Sequence, residues 1–124
     1  MSEQPARERD QLTVARLTGA AWWHAAVREP TGAETAAAVQ DLREIAGGRG
    51  DLLAEVTGLL IGYYRRTADE RRARAAAYFC LLAGASRELI PRWIQLGSSR
   101  AAAARRIPPA VAGPGHVYAW PEAV

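Results

Sequence analysis

The residues with most chemistry to offer are the arginines. All 16 basic residues of the chain are Arg, a side chain that stays charged and grips phosphate or carboxylate through paired N–H donors. They are unevenly spread. Residues 1–62 hold six Arg against nine acidic residues, a net of −3, and residues 63–124 hold ten against four, a net of +6, which together give the formal +3 of the chain. Within the basic half, Arg71, Arg72 and Arg74 form one run, and Arg87, Arg92 and Arg100 follow at wider spacing. Both sets are candidates for phosphate contact, with double-stranded DNA as the partner. The same surplus also fits an acidic protein surface, including the N-terminal half of a second copy.

Other reactive side chains are sparse. The one cysteine cannot form an internal disulfide, and with two distant histidines it does not make the ligand spacing of a zinc site. Cys80 sits between Phe79 and Leu81, so it is expected to be a small buried hydrophobe without a base to activate it. His24 has no acid paired with it by spacing and is expected to lie at the surface or at a helix end. The glycines of AGGRG, Gly47, Gly48 and Gly50, lack the Lys-Ser/Thr of a P-loop and the spacing of a dinucleotide fingerprint, so they are expected to be a helix stop and turn. No Ser-His-Asp set, paired-carboxylate arrangement or metal motif appears. The expectation is a non-enzyme with no cofactor and no metal.

The elements that must position the arginines centre on Arg74–Arg106, where an alanine-rich helix runs into Ala83-Gly84-Ala85-Ser86 and restarts. Cys80, Gly84 and Ile90 occupy the places where a helix-turn-helix needs a small inward residue, a turn residue tolerant of positive φ and a branched apolar lock. Ser86 is placed to cap the second helix. Through Trp93 and Gly97, the line AGASRELIPRWIQLG resembles the helix-turn-helix half of excisionase and MerR-type DNA-binding domains. That resemblance implies a second helix in the major groove, with Arg87 and Arg92 facing DNA and Trp93 facing inward. Pro91 departs from the pattern, since proline there removes a backbone donor. It predicts two pieces: a short turn at 87–90 and a longer helix with Pro91 at its first position. No β-hairpin wing follows. More widely, DLREIAGGRGDLLAEVTGLLIGYYR and FCLLAGASRELIPRWIQLG resemble small all-helical proteins of high-GC bacteria, which implies one helical domain and adds no site.

In chain order, Leu12, Ala15, Gly19, Trp22 or Trp23 and Ala26 recur at helical spacing and predict a first helix to about Arg28. Adjacent tryptophans diverge by about 100 degrees on a helix. Either one of them lies at the surface or in an interface, or a wide apolar stripe accommodates both. Thr31 and Glu34 form a capping box for a second helix ending near Ala46. Asp51 is expected to cap a third helix whose Leu52, Leu53, Val56, Leu59, Leu60, Tyr63 and Tyr64 place it at the centre. Thr67 and Glu70 form a second capping box, for a fourth helix that ends at Ala83 and turns Ala75, Tyr78, Phe79 and Leu82 inward. Residues 107–124, IPPAVAGPGHVYAWPEAV, hold four of the seven prolines and no helical period. Val117, Tyr118 and Trp120 in that segment either pack back along the helices or form a linear motif for a partner.

The fold expected from these signals is all-α: a compact bundle of about five helices over residues 1–106, with a C-terminal helix-turn-helix-like pair and an extended Pro/Gly-rich tail over 107–124. No apolar run approaches the roughly 20 residues of a membrane span, and MSEQPARERDQ is too polar for a secretory signal. A cytoplasmic protein without a membrane partner is therefore expected. Two functions fit. One is a small DNA-binding accessory or regulatory protein acting through Arg71, Arg72, Arg74, Arg87, Arg92 and Arg100. The other is a helical protein-protein interaction module, or a homodimer, acting through Trp22, Trp23, Tyr118 and Trp120.

Overall fold

Helix starts and glycine stops produce five α-helices in the computed structural model, which describes residues 4–64 and 69–104. They are α1 (Gln4–His24), α2 (Gly32–Ala46), α3 (Gly50–Tyr64), α4 (Glu70–Ala83) and α5 (Ile90–Ala104), with a 3₁₀ turn at Arg87–Leu89 ahead of α5. No strand occurs among the described residues. Tyr118, Trp120 and the whole of 107–124 lie outside them, as does Thr67.

Local chemistry sets most boundaries. Thr31 and Glu34 close the capping box, the Thr31 amide donating to Glu34 Oε1 at 2.9 Å and the Glu34 amide to Thr31 Oγ1 at 3.1 Å. Gly47 ends α2 and Gly84 ends α4, both in the left-handed conformation that costs glycine least. The second expected box rests on Thr67, which lies outside the described residues. α4 starts after Asp69, with Glu70 as its first residue, and the Asp69 side chain makes no capping bond. Asp51 likewise lies inside the first turn of α3 rather than before it. Pro91 acts as its chemistry requires: the 3₁₀ turn ends at Leu89 and Pro91 falls in the opening turn of α5, where its missing N–H has no intrahelical partner to lose.

α3 is the centre, packing on α5, α4 and α1, while α2 packs on α1 and α4. Leu52, Leu53, Val56, Leu59 and Leu60 of α3 are buried with Leu17, Leu42, Phe79 and Cys80. Each such side chain contributes about 1.5–3 kcal/mol on leaving water. Two expected faces need correction. On α1 the buried stripe is Leu17, Thr18 and Ala21, continued by Ala25 just past its end, whereas Leu12 is 61 % exposed. On α4 it is Ala73, Ala76, Ala77, Phe79, Cys80 and Ala83, with Tyr78 exposed and Leu82 at its edge. The physical reason is close approach: helices crossing three neighbours turn their alanines inward and leave bulk at the margins.

The α3–α5 contact is closer still. A methyl group on Gly58 would overlap Trp93 Cβ, one on Gly62 would overlap the Ile94 carbonyl oxygen, and one on Gly97 would fall 2.7 Å from the Leu59 carbonyl oxygen. Rising numbers on α3 meet rising numbers on α5, so the two helices run parallel. Ser98 Oγ adds a bond to the Gly62 carbonyl at 3.3 Å.

Candidate functional site

The arginines divide by what their guanidinium groups already hold. Arg72 Nε donates to the Trp22 carbonyl at 2.8 Å, and its guanidinium carbon lies 4.4 Å from the centre of the Trp22 ring. Arg71 donates to the Ala25 carbonyl at 3.2 Å. Trp22 lies in the last turn of α1 and Ala25 just beyond it, so the two cations set their charge at the negative end of that helix. Arg43 does the same for α4, donating to the Leu82 carbonyl at 3.2 Å. Arg74 is different: it is exposed and, among the described residues, reaches Glu70, 3.4 Å away one turn earlier. Of the α4 set expected to lie along phosphates, Arg72 is half-buried and committed to the fold, Arg71 is exposed but holds the Ala25 carbonyl, and Arg74 is exposed.

Arg87, Arg92 and Arg100 are exposed. Arg92 and Arg100 line one open groove of about 800 Å³ between α1, α3 and α5, together with Arg7, Trp93 and the acids Asp10, Asp51 and Glu55. Arg92 also lies over the Trp93 ring at 5.4 Å. At the edge of this groove Arg49 reaches both Asp10 and Asp51, with its nearest contacts to each at 3.0 Å, pinning the start of α1 to the start of α3. The hydrogen bond from Arg49 holds the Asp51 carboxyl below the usual carboxylate range, while burial pushes that of Glu55 up. The groove is thus mixed in charge. α4 and α5 are not a packed pair, since α5 lies along α3, and Arg87 and Arg92 fall on opposite sides of the break between the 3₁₀ turn and α5.

The tryptophans part company as adjacent helix positions must. Trp22 is half-buried under Arg72, and Trp23 is 71 % exposed. Trp23 stands at an apolar groove of about 410 Å³ lined also by Ala26, Val27, Pro30, Ala37 and Phe79, with His24 and Glu34 on its polar side. His24 is not the unpartnered residue that spacing suggested. Its Nε2 lies 2.9 Å from Asp41 Oδ2, an α2 carboxylate seventeen positions away and invisible to helix spacing. The pair fixes the His24 ring, which meets the Trp23 ring edge-on at 5.0 Å between centroids.

Cys80 is fully buried, and loss of water pushes its thiol up to about 12, against a small opposing hydrogen bond with Thr57. It is neutral and inert near pH 7. Among the described residues no three His, Cys, Asp or Glu side chains gather as a metal site, and no helix is long and apolar enough to cross a membrane. The chain matches no known protein family, no curated protein and no solved structure.

Proposed function

We propose that this chain is a non-catalytic helical protein-interaction module, which takes an apolar, aromatic-bearing segment of a partner protein into the Trp23 groove. The observation that carries this reading is the placement of Trp23, 71 % exposed beside the 41 % exposed Val27 and the buried Phe79. A large aromatic held open at an apolar groove is the composition of an interface anchor. The contact between His24 and Asp41 steadies the wall of that groove, so the anchor is presented in one orientation at little entropic cost on binding.

The other reading is a DNA-binding accessory protein with a helix-turn-helix-like element, and the exposure of Arg87, Arg92 and Arg100 in the basic half favours it. Asp10, Asp51 and Glu55 stand in the same groove as Arg92 and Arg100 and would repel a phosphate backbone. One experiment separates the two. A photo-crosslinking side chain replaces the exposed Ala26 at the rim of the groove in the full chain, the partner captured in extract is purified, and its binding to the unmodified chain is measured. Interaction through the groove requires that Trp23→Ala weaken this binding at least about tenfold, the effect of one anchor residue, and that Arg87→Ala/Arg92→Ala leave it unchanged. No partner at position 26, together with salt-dependent binding of a generic duplex that falls in the arginine double variant, overturns the interaction reading in favour of DNA.

A further inference from the structure

We infer that the chain carries its own occupant for the Trp23 groove, the segment Val117-Tyr118-Ala119-Trp120, and that this segment competes with the partner. The inference rests on the interaction reading above and adds regulation to it.

The geometry brings the two together. α5 runs parallel to α3, and the bond from Ser98 to Gly62 places its last turns at the C-terminal end of α3. The start of α4 lies at that same end and is tied to the end of α1 through the contacts of Arg71 with Ala25 and Arg72 with Trp22. The groove is built from the end of α1 and the start of α2, around Phe79. The chain therefore leaves α5 at the end of the bundle that also carries the end of α1, and since α5 packs on α3 and α3 on α1, two usual interaxial spacings, about 20 Å, separate them. Val117 follows Ala104 by thirteen positions, and a chain of that length reaches up to about 40 Å. The distance is within reach with slack to spare.

The chemistry also matches. The groove offers an exposed indole, Val27 and Phe79, and the aromatics of 107–124 are Tyr118 and Trp120. Aromatic rings meet such a surface edge-on or offset, with few rotatable bonds to freeze. A segment on a short linker is presented at an effective concentration of about a millimolar. Even a weak site is therefore filled from within the chain before a dilute partner arrives, and the partner must displace it.

The test uses the full chain labelled with 5-fluorotryptophan. Its four tryptophans, Trp22, Trp23, Trp93 and Trp120, give separate fluorine resonances, assigned by single Trp→Phe changes. Tyr118→Ala lies outside the described residues, and an unchanged far-ultraviolet circular dichroism spectrum is the check that the bundle stays intact. The substitution is expected to shift the Trp23 resonance by more than its line width and leave that of Trp93 in place, equally at every protein concentration. Trp23→Ala is expected to move the Trp120 resonance in return. A Trp23 resonance indifferent to Tyr118→Ala and to Trp120→Phe overturns the inference. A shift that disappears on dilution also overturns it, assigning the groove to the segment of a second copy. With the partner in hand, Tyr118→Ala/Trp120→Ala should tighten its binding about tenfold by removing the competitor. If the resonances do not respond while Trp23→Ala still weakens the partner, the competitor falls and the groove stands; if the partner ignores Trp23→Ala, the groove itself falls.

Discussion

The α3–α5 seam and the corner where α1, α2 and α4 meet solve the same problem of joining helices by opposite means. At the seam Gly58, Gly62 and Gly97 remove side chains altogether, and backbone meets backbone. At the corner large side chains remain and arginines bridge the gaps, Arg72 and Arg71 on the carbonyls of α1 and Arg43 on that of α4. A glycine seam has no spare atoms to offer a ligand. A corner closed by guanidinium caps leaves room beside them, and there Trp23, Val27 and Tyr78 remain exposed. The difference teaches where to look for function: close packing fixes the scaffold, and the loosely closed corner is the face to which the proposed partner is assigned.

The seam is the place where the contrast breaks hardest. Gly62→Ala adds one methyl group where the Ile94 carbonyl oxygen already stands, and neither backbone can retreat without separating the helices. A loss of about 3 kcal/mol or more is expected, at the upper end of overpacking effects. Gly19→Ala is the internal control: nothing lies within 4 Å of the added atom, so it gains helix propensity of about 0.5–1 kcal/mol. Urea midpoints read both. Equal midpoints for the two variants would mean that α3 and α5 are not in backbone contact.

The corner is sharpened by Arg72→Met, which keeps the hydrophobic stem and removes the charge. It forfeits the stacking on Trp22 and the bond to the Trp22 carbonyl, together about 1–2 kcal/mol for a half-buried group. Arg87→Ala, at an exposed position, is expected within about 0.5 kcal/mol of the parent. Thermal unfolding that ranks Arg87→Ala as the costlier change would return the α4 arginines to the solvent-facing role that their spacing suggested.

How much of this is legible in the sequence differs by element. Thr31, Glu34, Gly47, Gly84 and Pro91 act through bonds within a few residues, and the helices they delimit follow from the chain alone. The all-helical class follows too, since period and stop signals are local. The inward faces of α1 and α4 do not. Weighing Leu12, Tyr78 and Leu82 as core put bulk before fit, whereas burial follows the alanines that allow close approach. The partners of the arginines were equally out of reach, because Arg72 and Trp22 stand fifty positions apart. The glycines at 58 and 62, one helical turn apart in the most apolar helix, were the readable sign of a close crossing. Of the candidate site, the divergence of Trp22 and Trp23 was visible, but which of them faces solvent depends on Arg72.

The smallest effect lies in the mixed-charge groove beside the seam, where two acids pull stability in opposite directions with pH. Burial raises the pKa of Glu55, an effect increased by Asp10 and Asp51 and reduced by Arg100 and Arg7. The folded chain therefore holds this proton more tightly than the unfolded chain, and the stability it contributes is complete below the ordinary glutamate range and lost as pH rises through the raised folded value. Asp51 is the reverse: the hydrogen bond from Arg49 lowers its pKa, so its contribution is present above the ordinary aspartate range and is lost as pH falls through the lowered value. Glu55→Gln should accordingly stabilise the chain at neutral pH by less than about 1 kcal/mol, because the groove is open to screening solvent. The gain should shrink as pH falls from about 7 to 4, where the parent glutamate takes up its own proton. Asp51→Asn should instead lower the neutral midpoint slightly, and less in high salt. Urea midpoints across that range read both variants. A Glu55→Gln chain no more stable than its parent at neutral pH would show that Arg100 and Arg7 fully offset the burial, and the groove would then hold balanced charge where the seam beneath it holds none.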